Sequence, residues 1–322
     1  MMLSLQDTVK KIENGRCLSI AADESLLSQL PKGNWIGGTI PYFMTKDGGK
    51  ITTEQLSVTD FTDVSIGTSI KSYELEDLPK LNEDAEEHGF SMVIIPAMSP
   101  AHLAYGHDAP NYPGFFMKPI VGWICGTLLD DHGKIPPKVF NGTTGRNSDK
   151  KAIVMHCKID PSKYATVSIL NLFKQGDGDE IMFEEEGFSA KTCLVNGKQV
   201  QLIDYLKEKN IDLKPPLVAD YCGAMVNVGI QGPDEAEGVV RFFAPVYRDV
   251  KYKFGAPVGN YVEEFKKALP KDVSPIWSCN CLLNFLYSEL EGKVVEKMYG
   301  PITYGEIAYQ LVNQTLVYLE VK

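Results

Sequence analysis

The feature that most constrains this chain is an order of elements that occurs three times. In residues 17–45 a short apolar strand ends at Ala22, Asp23 begins a helix with leucines at helical spacing, and a glycine-containing strand follows. Residues 91–130 and 274–321 have the same order. The distance from helix cap to glycine differs among the three stretches, which indicates related units and not a tandem solenoid array.

The first and last copies share a G-x-I-x-Y pattern. It reads Gly38-Thr39-Ile40-Pro41-Tyr42 in the first copy and Gly300-Pro301-Ile302-Thr303-Tyr304 in the last, and an alternating strand follows in both. If these two copies pair, their glycine strands line a cleft between two lobes, which is a usual place for a ligand pocket. The alternative is that the glycines only permit close packing of strands.

The rest of the chain favours an α+β fold. Residues 139–200 contain strand patterns joined by turns such as "QGDGD" and "VNGK", whose Gly, Asn and Asp residues are typical of hairpins. We therefore expect mixed, largely antiparallel sheets with helices packed on their faces, in two related lobes that share a strand-helix-strand-strand unit. We place the boundary before the "VNGK" hairpin, with an amino-terminal lobe of residues 1–187 and a carboxyl-terminal lobe of residues 188–322.

Composition excludes several classes of partner. The net charge of −10 argues against nucleic acid and anionic membrane surfaces. The seven cysteines have no regular spacing and form no C-x-x-C pair, which fits a reducing compartment. Apolar runs are too short for a membrane span. We expect a cytoplasmic protein with no membrane insertion, no cofactor and no metal.

The carboxyl-terminal 50 residues resemble the FIST family, which comprises predicted sensor domains of bacterial signalling proteins. The matching stretches are Ser278-Cys279-Asn280-Cys281, Thr303-Tyr304-Gly305-Glu306-Ile307 and Asn313-Gln314-Thr315. The amino-terminal half keeps the family's paired glycines as Gly37-Gly38 but lacks its Gly-Glu. Leu282 and Leu283 also stand where an Arg often follows the family's Cys motif.

The resemblance implies a non-catalytic domain that senses a small ligand. Amino acids or similar small polar metabolites are the ligand class that the family suggests. Output modules are often fused to such domains, and none is visible in this sequence. The resemblance therefore implies that the protein acts alone or through a separate signalling output protein.

The candidate ligand-binding residues are those of the two glycine strands and of the last strand–helix junction: Gly38, Thr39, Cys279, Asn280, Thr303, Tyr304 and Glu306. A strand that ends at a helix start directs backbone N–H groups toward an anion. At this junction Asn280 is a ligand contact or a helix cap, and Cys279 is a thiolate of lowered pKa or an inert buried residue. Glu306 is an acceptor for a ligand ammonium, a general base or a simple ion-pair partner.

Two other hypotheses about function remain open at this point. A cysteine-dependent hydrolase or transferase would use Cys279 or Cys222 as its nucleophile, with His102 or His156 brought into reach as the base. No local catalytic signature supports it. A scaffold without a ligand is the third possibility, and it would lack a buried polar cleft around Glu306.

Overall fold

The computed structural model describes residues 1–221 and 223–322 of the chain. Its helices are α1 (Leu5–Glu13), α2 (Glu24–Leu27), α3 (Leu81–Asp84), α4 (Pro100–Asp108), α5 (Leu202–Glu208), α6 (Tyr261–Ala268) and α7 (Leu282–Tyr287). Short 3-10 helices cover Leu75–Lys80, Ala109–Asn111 and Leu129–Asp131. No helix in the described part of the chain is long and apolar enough to cross a membrane.

Strands make up more of the chain than helices do. They are β1 (Met2–Leu3), β2 (Leu18–Ala22), β3 (Trp35–Thr39), β4 (Tyr42–Thr45), β5 (Gly48–Ile51), β6 (Leu56–Asp60), β7 (Gly67–Tyr73), β8 (Gly89–Pro96), β9 (Ile120–Cys125), β10 (Val139–Asn141), β11 (Arg146–Ser148), β12 (Ala152–Lys158), β13 (Ala165–Leu170), β14 (Ile181–Met182), β15 (Gly187–Ala190), β16 (Thr192–Val195), β17 (Lys198–Gln201), β18 (Leu217–Tyr221), β19 (Ala224–Val228), β20 (Ile230–Asp234), β21 (Val239–Val246), β22 (Tyr252–Phe254), β23 (Trp277–Cys281), β24 (Gly300–Thr303), β25 (Glu306–Ala308), β26 (Gln310–Val312) and β27 (Leu316–Val321). The predicted α+β class is confirmed.

The chain forms two compact units. The first contains residues 1–170, 269–311 and 316–322, and the second contains residues 171–268 and 312–315. The predicted lobes 1–187 and 188–322 do not coincide with these units, because the chain returns to the first unit at residue 269. The turn residues of the "VNGK" hairpin mark a turn and not a change of unit.

The first unit contains the strand–helix–strand order three times, as predicted. The strand pairs β2 and β3, β8 and β9, and β23 and β24 are each parallel, with α2, α4 or α7 in the connection. Each first strand also pairs antiparallel with a later strand, namely β6, β12 and β27, so in the structure the first two copies extend beyond residues 17–45 and 91–130 to include β6 and β12. All three copies thus build the same mixed half-sheet.

Each half-sheet is completed by a hairpin from another copy. The orders of the three sheets are β1-β6-β2-β3-β10-β11, β7-β12-β8-β9-β25-β26 and β13-β27-β23-β24-β4-β5. The hairpin of the first copy (β4–β5) adds to the third, that of the second (β10–β11) adds to the first, and that of the third (β25–β26) adds to the second. The three copies therefore exchange hairpins in a closed cycle.

Glycine is required where the parallel strands meet. A Cβ atom added at Gly122 would lie 1.9 Å from the carbonyl oxygen of Val93, and one at Gly300 would lie 1.9 Å from that of Ser278. In the first copy, a Cβ at Gly37 would lie 3.1 Å from a carbonyl oxygen on β2. The glycines in these three strands thus allow close strand contact.

Local capping explains where two of the helices start. The side chain of Asp23 accepts a hydrogen bond from Ser25 N at the start of α2, and Ser99 accepts one from His102 N at the start of α4, where Pro100 is the first helical residue. Both caps agree with the prediction. The predicted cap Asn280 is wrong, because β23 continues to Cys281, which is the residue that precedes α7.

The second unit consists of antiparallel sheets with α5 and α6. Its larger sheet has the order β17-β16-β14-β22-β18-β19, and its smaller sheet has the order β15-β21-β20. The predicted "VNGK" hairpin is confirmed: β16 and β17 pair antiparallel, and both Asn196 (φ 49°) and Gly197 (φ 80°) have the positive φ of a tight hairpin turn.

Candidate functional site

Glu306 is a fully buried carboxylate in the first unit. It lies on β25 opposite Trp123 of β9. Thr303 Oγ1 lies 3.4 Å from Glu306 Oε1 and 3.4 Å from the carbonyl oxygen of Asn280. Among the described residues, the indole N–H of Trp123 has no hydrogen-bond partner. The sequence-predicted group around Glu306 therefore exists, but solvent does not reach its side chains.

Cys279 belongs to the same buried group. Its side chain is 2% exposed, and its Sγ lies 3.8 Å from the carbonyl oxygen of Gly122. Burial and the nearby Glu306 carboxylate raise the pKa of the Cys279 thiol well above its ordinary value. The lowered pKa expected of a nucleophilic thiolate is therefore wrong for Cys279. The other candidate nucleophile, Cys222, lies outside the described residues.

Asn280 and Gly38 serve packing within this interior. The side-chain oxygen of Asn280 accepts hydrogen bonds from Cys281 N (2.8 Å) and Asn284 Nδ2 (3.0 Å), which ties the end of β23 to α7. A Cβ at Gly38 would lie 2.7 Å from Ile94 and 2.9 Å from the ring of Trp123. Neither residue lines a cavity described below, so we assign neither to ligand contact.

Two of the sequence-predicted residues do line cavities. The first cavity has a volume of about 510 Å³ and lies where β8 and β9 end. Its walls are formed by Ala97, Met98, Ser99, Pro100, Gly126, Thr127, His132, Gly133, Lys134, Ile135, Pro136, Pro137, Asp149, Lys150 and Tyr304. The second cavity, of about 430 Å³, is lined by Thr39 and by the start of α2.

Tyr304 is held firmly in the wall of the first cavity. Its hydroxyl donates a hydrogen bond to the carbonyl oxygen of Thr127 at 2.8 Å. One part of its ring lies so close to Gly126 that an added Cβ there would be 2.1 Å away. Its ring also stacks with that of His132, with centroids 6.0 Å apart and planes inclined by 24°. Burial raises the pKa of the Tyr304 phenol, so the hydroxyl stays protonated at neutral pH.

Charged groups in the first cavity favour an anionic ligand. Lys134 and Lys150 lie in its wall together with Asp149, so the charged side chains sum to one positive charge. The turn that starts α4 also lines it, and the N–H groups of a helix start favour negative charge. Among the described residues, the partner of Lys134 Nζ is the backbone carbonyl of Asp130 at 2.8 Å and not a carboxylate, which leaves its charge available to a ligand.

The charged side chains that line the second cavity are acidic. Asp23, Glu24 and Asp131 line it, and Glu24 forms an ion pair with Lys138 at 2.5 Å. Thr39 Oγ1 accepts a hydrogen bond from Lys138 N at 3.0 Å. Within the described ranges, no group of three or more His, Cys, Asp or Glu side chains could hold a metal ion.

A single loop forms part of both cavities. Residues 126–137 connect β9 to the hairpin β10–β11, and Gly126, Thr127 and Ile135 contribute to both walls. The loop is held by Tyr304 and by Tyr42, whose hydroxyl oxygen accepts a hydrogen bond from Leu129 N at 2.9 Å.

Sequence reasoning missed this loop and the two cavity lysines, Lys134 on the loop and Lys150 after β11. The available signal was a stretch bounded by Gly126 and the pair Pro136-Pro137 directly after a buried strand, because functional residues often lie on loops at such positions.

The chain belongs to the family of unknown function DUF6976, whose model matches residues 3–322. No curated protein and no solved structure gives a match. The resemblance to the FIST family stays a prediction.

Proposed function

We propose that this protein is a non-catalytic sensor that binds a small polar metabolite in the first cavity, with amino acids and related carboxylates as the ligand class. The observation that carries this proposal is the place of the cavity at the carboxyl ends of the parallel strands β8 and β9. Ligands of sheets with parallel strands and helical connections commonly bind there. The volume is also within the range of small-molecule sites.

The chemistry of the walls supports a ligand with an acidic group and an apolar body. Lys134, Lys150 and the start of α4 supply positive potential, while Met98, Ile135 and the prolines supply hydrocarbon surface.

A third cavity of about 750 Å³ is a weaker candidate. It lies at the sheet edges formed by β1 and β5 and is lined by Met1, Met2 and the turn at residues 46–50.

The proposal includes a way for ligand binding to affect a separate signalling protein. The loop of residues 126–137 lines both cavities. In this proposal the ligand binds one position of the loop more tightly than another and thereby shifts the loop toward it. A separate signalling protein would then recognise this surface. An enzyme that uses Cys279 receives no support, because its thiol is buried and protonated.

The proposal is tested by thermal melting of the full chain with pooled amino acids and pooled small carboxylates. A ligand at a hundred times its dissociation constant adds about 2.7 kcal/mol to the free energy of unfolding, which raises the melting temperature by several degrees. Tryptophan emission is a suitable signal, because Trp35, Trp123 and Trp277 all lie in the first unit.

Matched variants locate the site. In Lys134→Gln/Lys150→Gln we expect the affinity for the active pool to fall roughly tenfold or more, since hydrogen bonds to charged groups are involved. The control Lys158→Gln/Lys163→Gln removes the same charge at exposed positions that do not line the cavity. Equal shifts in both double variants would place binding elsewhere and refute the proposal. Absence of a shift with every pool would refute it as well.

A further inference from the structure

The shape of the first cavity identifies the body of its ligand more closely. Tyr304 lies in its wall with the hydroxyl bound to Thr127 and the ring against Gly126. These two contacts prevent the ring from turning, so its remaining face is a fixed flat surface. A fixed aromatic surface costs little conformational entropy when a ligand packs on it.

His132 covers that face as a movable partner. Its ring is inclined by only 24° to that of Tyr304, and the two centroids are 6.0 Å apart. Carbon atoms in contact are about 3.5 Å apart, so the two ring planes must lie roughly 7 Å apart to hold a planar group between them, and His132 has to move to open that space. His132 is exposed and lies on the loop of residues 126–137, so its ring has solvent beside it into which it can rotate outward.

The other walls are suited to a hydrocarbon ring that carries one acidic group. Met98, Pro100, Ile135 and Pro136 are apolar, and Lys134 and Lys150 lie among them. The exposed part of the cavity wall is thus mostly apolar, with its positive charge confined to the lysine side chains. A ligand with its charge at one end matches this distribution better than one with charge along its length.

We propose that the ligand is an aromatic or heteroaromatic carboxylate whose ring packs between Tyr304 and His132. This inference rests on the proposed function and names its ligand class. The carboxylate binds toward Lys134 and Lys150, and the ring displaces the His132 imidazole outward while keeping it stacked on its far face. His132 is then a residue that determines specificity, and Tyr304 is the fixed surface that orients the ring.

Isothermal titration with three probes tests the inference on the full chain. Benzoate and cyclohexanecarboxylate have the same charge and similar size, but only benzoate is planar and aromatic, and benzamide is planar without the charge. We expect benzoate to bind roughly 2- to 10-fold more tightly than cyclohexanecarboxylate, which is the range for an added aromatic pair. Benzamide should bind more weakly than benzoate, by tenfold or more.

Variants separate the ring contact from general binding. His132→Ala should remove the preference for benzoate, and Tyr304→Phe should keep it because the ring remains. The control His107→Ala changes a partly exposed histidine of α4 that does not line the cavity, and it should bind both acids like the unaltered protein.

Three outcomes would overturn the inference in different ways. If cyclohexanecarboxylate binds as tightly as benzoate, or if His132→Ala keeps the preference, the aromatic assignment fails while a carboxylate site remains. If neither acid binds at millimolar concentrations but an aliphatic pool raises the melting temperature, the aromatic assignment fails and the proposed function stands. If no acid has any effect in either assay, both proposals fail.

Discussion

A buried histidine in the second sheet should make the first unit sensitive to acid. His156 of β12 is fully buried and lies between two hydroxyl groups, with Nδ1 2.8 Å from Ser91 Oγ and Nε2 2.8 Å from Tyr73 Oη. The Tyr73 hydroxyl donates to Asp84, 2.8 Å away, so it accepts from the histidine. Nε2 therefore carries the proton, and in the neutral ring Nδ1 accepts from Ser91, so both nitrogens of a neutral imidazole are hydrogen-bonded.

The electrostatic surroundings disfavour a charged imidazole. Burial lowers the pKa of His156 to about 4, Asp84 opposes this change, and the cations Lys71 and Lys118 add to it. A second buried histidine, His102, has its pKa lowered to about 4 by burial.

The size of the stability loss follows from the difference between the pKa of His156 in the unfolded chain and in the folded protein. The unfolded chain binds a proton at His156 near pH 6.5, whereas the folded protein does so only near pH 4. Stability from the neutral ring is therefore complete above pH 6.5 and is lost as the pH falls toward 4, by roughly 3 kcal/mol in all. The Asp60 carboxylate affects stability at lower pH than His156 does. Burial raises its pKa, but hydrogen bonds, first of all from Thr62, outweigh burial and lower the pKa to about 2.

Urea denaturation at pH 7, 6, 5 and 4, followed by tryptophan emission, measures this loss in the first unit. The variant Ser91→Ala/His156→Gln removes the titrating ring together with the hydroxyl that would lose its partner. Between pH 7 and pH 4 the variant should lose about 3 kcal/mol less unfolding free energy than the unaltered protein. The loss that remains in the variant should be due largely to His102. The control His107→Ala should keep the full slope. Equal slopes in all three proteins would refute the reasoning.

Three further predictions concern contacts in the first unit. Gly122→Ala should destabilise it by about 1–3 kcal/mol, because the added Cβ meets a carbonyl oxygen at 1.9 Å, whereas Gly67→Ala, with its nearest contact at 3.9 Å, should be near neutral in the same urea denaturation. Tyr304→Phe should lose about 1 kcal/mol with its hydrogen bond to Thr127, and an unchanged urea midpoint would show that this bond contributes nothing. Cys279 should resist maleimide labelling in the folded protein and react in urea, so mass-spectrometric detection of rapid native labelling at that residue would contradict its burial.

Much of the fold was accessible from local patterns. The three-fold order of strand, helix and glycine strand appears in the sequence, as do the helix caps Asp23 and Ser99 and the "VNGK" hairpin. These features depend on residues within a few positions of one another, and their signals are therefore readable without tertiary information. The division into two units was not accessible in this way, because no local signal marks the return of the chain at residue 269.

The candidate site was only partly predictable for a related reason. Of the residues that the sequence predicts for ligand contact, Tyr304 and Thr39 line cavities. Glu306 and Cys279 belong to the same sequence pattern but lie in the interior. A polar residue beside a glycine strand faces solvent or the core depending on which other strand pairs with the strand that carries it. In this protein that pairing strand comes from another copy.

The sequence by itself determined the repeated unit, the positions of its helices and the glycines that its close strand contacts require. Only the tertiary structure decided that each copy gives its hairpin to another copy's sheet, since strand pairing across more than a hundred residues leaves no local trace. That exchange buries Glu306 against β9 and brings Tyr304 onto Gly126 and Thr127. The cavity thus joins a loop of the second copy to a strand end of the third, which no single stretch of the chain could reveal.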